Sequence, residues 1–207
     1  MSSGQDVYAT ASRRNAAVRF LSRRASQARA RRHAAFFPLT GVGPGARVVD
    51  IGAGGLGLRA LEPDLDITGV DLANRPDYPG PFVQADAADA LPFEDDAFDL
   101  AYSNSVVEHV DPARRARFAA ELRRVARGWY VQTPAIAFPL DPHSLLPFAH
   151  WLPVAIRKPY WRLGAGGDWE DIHLLRRTEM AALFGAPRAE RVGPIVKSWV
   201  SVQPVRS

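Results

Sequence analysis

The segment Arg47-Val48-Val49-Asp50-Ile51, followed at once by Gly52-Ala53-Gly54-Gly55-Leu56-Gly57, constrains the fold of this chain more than any other. A five-residue run rich in β-branched side chains reads as a buried strand. The glycines after it have the spacing G-x-G-x-x-G, which lets the backbone turn sharply and approach a bound group closely. Leu58 to Leu61 can then start a helix. A strand, a glycine turn and a helix in that order form the opening unit of a parallel sheet.

The alternation continues along the chain. Asp66 to Asp71, Pro81 to Asp86, Phe98 to Ser103 and Trp129 to Thr133 read as further strands. Pro112 to Ala126 reads as a helix with proline in its first turn. Arg177 to Phe184 is a closing helix, and Ala189 to Val192 with Ile195 to Val202 are two closing strands. The expected fold is therefore α/β: a Rossmann-like, doubly wound, mostly parallel seven-stranded sheet with right-handed crossovers.

Two stretches lie outside this rhythm. Ala9 to Phe37 reads as an N-terminal helix that ends before Pro38 and the Gly41-to-Gly45 turn. Residues 1–46 carry eight arginines against one acid, Asp6, a net of +7, which leaves −3 for the rest of a chain whose total is +4. Such a face meets an anion or simply faces water. Pro134 to Asp171 is rich in proline and aromatic residues and too long for a plain connection, so it reads as a cap insertion. The organisation is a single domain over 1–207: a basic helical segment at 1–40, a cofactor-binding core at 46–133, a substrate cap at 134–175, and a closing helix with strands at 176–207.

The chain contains no cysteine. That excludes disulfides, thiolate nucleophiles, cysteine-ligated zinc and iron–sulfur clusters. No apolar run approaches the ~20 residues of a membrane span, and the polar, arginine-rich N-terminus does not resemble a signal peptide. The expected location is the cytoplasm. Heavy use of alanine and arginine over lysine suggests a GC-rich bacterial genome.

Three acids narrow the ligand of the glycine turn. Asp50 stands two residues before Gly52, where a carboxylate would repel the pyrophosphate of a dinucleotide. It suits S-adenosylmethionine, which carries a sulfonium and an ammonium. Asp71 ends the second strand, about 20 residues past the turn, where an acid accepts ribose hydroxyls. Asp86-Ala87 follows the third strand, where a carboxylate can accept from the adenine amine.

With Val48 to Gly57, Ile67 to Leu72, Asp86 to Leu100 and Asn104 to Val110 in this order, the sequence resembles the class I S-adenosylmethionine-dependent methyltransferases of the short, type 11-like kind. The likeness covers roughly Arg47 to Thr133. It implies that Asp50, Gly52, Ala53 and Gly54 cradle the methionine end and that Asp71 takes the ribose. Leu72 packs on adenine, Asp86 and Ala87 hold its edge, and Ser103 or Asn104 lines the methionine side. The insertion Asp86-Ala87-Ala88-Asp89-Ala90 is one residue longer than the common form.

The implied reaction is methyl transfer to a small molecule or glycan, most simply to oxygen. A hydroxyl acceptor calls for a general base, and His109 and His143 are the candidates, with His150, Asp141 and His173 as further options. Phe and Trp of the cap suit an apolar or sugar-like ring, and Arg157, Lys158 and Arg162 suit an anionic group. No His and carboxylate set has metal-ligand spacing, so no metal is expected. RNA or protein as the target, through the basic helix, is the alternative, as is a non-catalytic scaffold that keeps the cofactor pocket.

Overall fold

The computed structural model describes residues 34–54, 57–62, 64–166, 168–170 and 172–205. Its strands are β1 (Arg47–Ile51), β2 (Asp66–Asp71), β3 (Phe82–Gln84), β4 (Phe98–Asn104), β5 (Ala126–Pro134), β6 (Arg188–Val192) and β7 (Ile195–Gln203). They form one sheet in the order β3-β2-β1-β4-β5-β7-β6. β1 to β5 pair in parallel, and β7 runs antiparallel between β5 and β6. This is the expected Rossmann-like, mostly parallel sheet. The strand order reverses between β1 and β4, which opens a crevice beyond their carboxyl ends.

Alternation along the strands divides the core into two layers. Val49, Ile51, Val70, Ala101 and Val131 face one side, where Phe118, Leu122 and Val125 of helix α1 (Arg115–Val125) cover them. Met180 and Phe184 of helix α3 (Arg177–Phe184) complete that layer. Val48, Ile67, Leu100, Tyr102 and Tyr130 face the other side. Residues 34–40 are helical, and Phe36 from them packs edge-on against Tyr102, with ring centroids 5.8 Å apart.

Several boundaries differ from the sequence reading. Leu58 does not begin an α-helix: only a 3-10 turn, Leu58–Ala60, follows the glycine turn. Pro63 disfavours helical backbone at the residue before it, so any helix begun here has little room. The helix expected at Pro112 opens as a 3-10 turn, Pro112–Arg114, capped by the Asp111 carboxylate, and becomes α-helical at Arg115. It then passes directly into β5 at Ala126. Most of the N-terminal helix and all the arginines before Arg47 lie outside the described residues. The segment from Pro134 to Leu175 carries a 3-10 turn, Ala149–Trp151, and helix α2 (Val154–Trp161). Among the described residues no helix is long and apolar enough to cross a membrane.

Candidate functional site

The glycine turn lies at the carboxyl end of β1, on the crevice. Gly52 has φ +75°, and a Cβ there would meet Val106 Cγ2 at 2.3 Å. Only glycine fits so close an approach. Gly54 also has positive φ, +60°, but a Cβ on it would meet nothing within 4 Å. Its open side therefore faces the space where a ligand can lie.

The amides of Gly52, Ala53 and Gly54 are already engaged. Gly52 and Ala53 donate to the Val70 carbonyl at 2.7 and 3.1 Å. Gly54 donates to Asp71 Oδ2 at 3.0 Å. A pyrophosphate needs free N–H groups at this turn, and these three are spent. Asp50, 2% exposed, lies beneath the turn and accepts from the Leu58 amide at 2.6 Å. Burial raises its pKa from 3.8 to about 7; the Leu58 amide opposes this and the charge of Asp71 adds to it. Two carboxylates beside spent amides make this end of the crevice suited to a cation, and so fitted to S-adenosylmethionine rather than a dinucleotide.

Asp71 ends β2 as expected. Its Oδ1 accepts from the Ala73 amide at 2.9 Å, and Arg75 pairs with it at 3.3 Å. Arg75 reaches both oxygens, at 3.4 and 3.3 Å, so each already accepts two hydrogen bonds and a ribose hydroxyl would take the place of the long Arg75 contacts. Leu72 beside it is 70% exposed, an apolar side chain standing in water where adenine would cover it. Asp86 is less free than the sequence suggested. It accepts from the Ala88 amide at 2.8 Å and pairs with Arg114 at 3.0 Å, while Arg114 also reaches Asp89 at 2.9 Å. Ala87 is buried beside it. Ser103 is wholly buried with its Oγ unpartnered, so of the two β4-end residues Asn104 is the one that reaches the surface.

Past β4, the chain turns at Ser105, with φ +58°, and the 3-10 turn Val107–His109 follows. Val106, already in contact with the glycine turn, thus joins it to Glu108 and His109. Glu108 is fully buried; its Oε2 accepts from Thr133 Oγ1 of β5 at 2.9 Å, and its Oε1 has no hydrogen bond. Burial raises its pKa. His143 of the cap brings Nε2 to 3.9 Å from that oxygen, and its ring stands edge-on to His109 at 4.8 Å. Burial and the neighbouring His109 hold His143 down at about 4, so its ring is neutral at neutral pH. His109 is partly exposed, and its Nδ1 lies 2.7 Å from Glu170 Oε1. Burial lowers its pKa, but Glu170 and Glu108 outweigh that and raise it.

Asp141 fixes the placement of His143. Its Oδ1 accepts from the amides of His143 and Ser144, at 3.0 and 2.8 Å, and from Ser144 Oγ at 2.9 Å. His150 lies behind it, with Nδ1 3.4 Å from Oδ2. His173 instead gives its backbone amide to the Glu108 carbonyl at 3.1 Å. The candidates His109 and His143 are therefore brought together, and Asp141 supports them from behind. Thr133, Glu170, Arg75, Arg114 and Tyr78 are additional. Tyr78 is buried near Asp50; burial and the Asp50 charge raise its pKa to about 12 against the pull of Arg59. Arg75 stands four positions from its partner Asp71, and nothing in the spacing marks the other four, because each meets its partner through the fold.

Comparison with known proteins accords with this geometry. A family model described as a methyltransferase domain matches residues 41–128. An uncharacterized methyltransferase of Mycobacterium marinum is 38% identical over 87 residues, 42% of this chain and 33% of that protein. The match thus spans about a third of the relative's length. Among solved structures, a Pyrococcus horikoshii protein aligns with TM-score 0.57 at 17% identity, over 86% of this chain and 91% of its own. A SAM-dependent methyltransferase of Methanosarcina mazei aligns with TM-score 0.51 at 16% identity, over 80% and 95%. A putative zinc-dependent alcohol dehydrogenase of Rhodobacter sphaeroides aligns with TM-score 0.55 at 13% identity, over 85% and 89%. Likeness at these identities concerns the fold alone.

Proposed function

We propose that this chain, whose residues 41–128 make it a class I S-adenosylmethionine-dependent methyltransferase, methylates an oxygen of a small molecule or glycan. The observation that carries the acceptor side is the buried Glu108 carboxylate with His109 and His143 gathered next to the glycine turn. Bound S-adenosylmethionine supplies an already activated methyl group on sulfur.

The protein's task is then to bind, align and exclude water. Gly52, Ala53, Gly54 and Asn104 would border the methionine portion, with Asp50 holding the turn beneath it. Asp71 would hold the ribose, Leu72 and Ala87 would pack on adenine, and Asp86 would share its carboxylate between adenine and Arg114. Glu108, His109 and His143 would face the acceptor hydroxyl, the two imidazoles being its nearest polar contacts. The cap over 134–175 supports a ring-bearing acceptor: Phe148 and Trp151 pack at 5.1 Å and each leaves about half its surface exposed. Trp151 is anchored through its indole N–H on the Ile136 carbonyl at 2.6 Å.

The test is incubation of the protein with methyl-labelled cofactor and three acceptor pools: hydroxylated small molecules and glycan fragments, RNA, and protein. The expected outcome is a one-methyl gain in the first pool, reduced at least ~100-fold by His143→Ala. Label in RNA or protein alone would contradict the reading. Cofactor binding with no transfer to any pool would favour a scaffold.

A further inference from the structure

We propose that Glu108, His109 and His143 bind a divalent transition-metal cation, and that this cation takes an oxygen of the methyl acceptor as a further ligand. The inference rests on the reading that the acceptor is bound at this cluster. One donor atom from each of the three side chains lies within 4.8 Å of the other two. Ligation at about 2.0–2.2 Å brings such donors to roughly 3–3.5 Å apart, so the widest separation needs to close by roughly 1.3–1.8 Å. His109 is partly exposed, which provides an entry path.

One orphaned feature points to the ion. Glu108 Oε1 has no hydrogen bond although the residue is fully buried, and a buried carboxylate left half-satisfied is costly. His143 brings Nε2, its nitrogen nearer to Glu108, to 3.9 Å from that oxygen. A cation between the carboxylate and this nitrogen would satisfy the Glu108 oxygen that the protein leaves open. With neutral imidazoles the three donors carry a single negative charge, so a divalent ion keeps net attraction for an anionic or ionising oxygen.

The surroundings are those of a supported ligand set. Glu170 holds His109 through Nδ1 at 2.7 Å, which leaves Nε2 for a metal; a carboxylate behind a ligating histidine is the usual support. Thr133 holds Glu108 through Oε2, which leaves Oε1. Asp141 fixes the backbone of His143. Two imidazoles and one carboxylate favour zinc, iron, cobalt or nickel over magnesium or calcium, which take all-oxygen sets. Three protein ligands leave positions open for an acceptor oxygen, and a hydroxyl held there ionises more readily, its proton passing to water. The spacing rule missed the set because His143 lies 34 positions beyond His109 and reaches it only through the cap.

The test uses the full chain stripped with a chelator, then titrated with Zn²⁺ calorimetrically and with Co²⁺ followed by visible absorption. S-adenosylhomocysteine binding is measured on the same samples. The expected result is one cation per chain with micromolar Kd. His143→Ala and Glu108→Gln weaken it at least ~100-fold, and Glu170→Gln weakens it about 10–100-fold, all without loss of S-adenosylhomocysteine binding. Zn²⁺ also shifts the NMR ring signals of His109 and His143 and leaves those of His150 unmoved. Absence of stoichiometric binding, or binding unchanged in His143→Ala, overturns the proposal while leaving the methyltransferase reading intact. Loss of S-adenosylhomocysteine binding in the wild type would instead overturn that reading.

Discussion

Asp50 lies buried beside a second carboxylate, and its titration has direct consequences in solution. The folded chain keeps its proton up to about pH 7, whereas the unfolded chain releases it near 3.8. The stability that Asp50 contributes is therefore full below pH 3.8 and lost as pH rises to about 7. The difference corresponds to about 4 kcal/mol. Asp50→Asn should melt higher than the wild type at pH 8, with the gain shrinking toward pH 4. The neighbouring charge of Asp71 acts in the same direction as burial, while the Leu58 amide opposes it. A cationic cofactor reverses the preference, so S-adenosylmethionine affinity should rise with pH up to about 7 and level off; in Asp50→Asn it should be flat. Titrations across about pH 5 to 8 check this. Gly52 and Gly54 make a paired prediction. Gly54→Ala should cost about 1–2 kcal/mol for its left-handed backbone yet lower cofactor affinity sharply. Gly52→Ala should cost more, because its Cβ also overlaps Val106. Thermal melts and S-adenosylhomocysteine titration separate the two. The positions of Asp50, Gly52 and Asp71 were legible because each is set relative to a strand. Glu170 and Thr133 were not, since they meet His109 and Glu108 from 61 and 25 positions away.

Elements were legible where burial is one-sided or complete. β1, β2 and β4 follow from β-branched and aromatic runs, and α3 matches Arg177 to Phe184. The helix after the glycine turn was overestimated because the pattern Leu58 to Leu61 ignores the stop imposed by Pro63. The cap is the element least legible from periodicity, as its order comes from side-chain bonding around Asp141 rather than from a repeating face. Arg115 is the tie between elements. It is buried at the start of α1 and reaches the Val110 carbonyl, the His173 carbonyl and Glu179 of α3. Arg115→Met should destabilise by about 1–3 kcal/mol, because the Val110 and His173 carbonyls lose their donor. Glu179→Gln, at a half-exposed position, should cost much less. Urea unfolding of the two variants measures both.

At the scale of the molecule, the sheet places the glycine turn, the end of β4 and the cap around one crevice. The reversal of strand order between β1 and β4 creates it, and Leu72 stands exposed just past the end of β2. The most direct measurement of the central claim is calorimetric titration of the protein with S-adenosylhomocysteine and, separately, NADH, repeated with Asp71→Ala. Micromolar binding of S-adenosylhomocysteine alone, lost at least ~100-fold in the variant, is the predicted result. Binding of NADH in preference, or of neither, would contradict it.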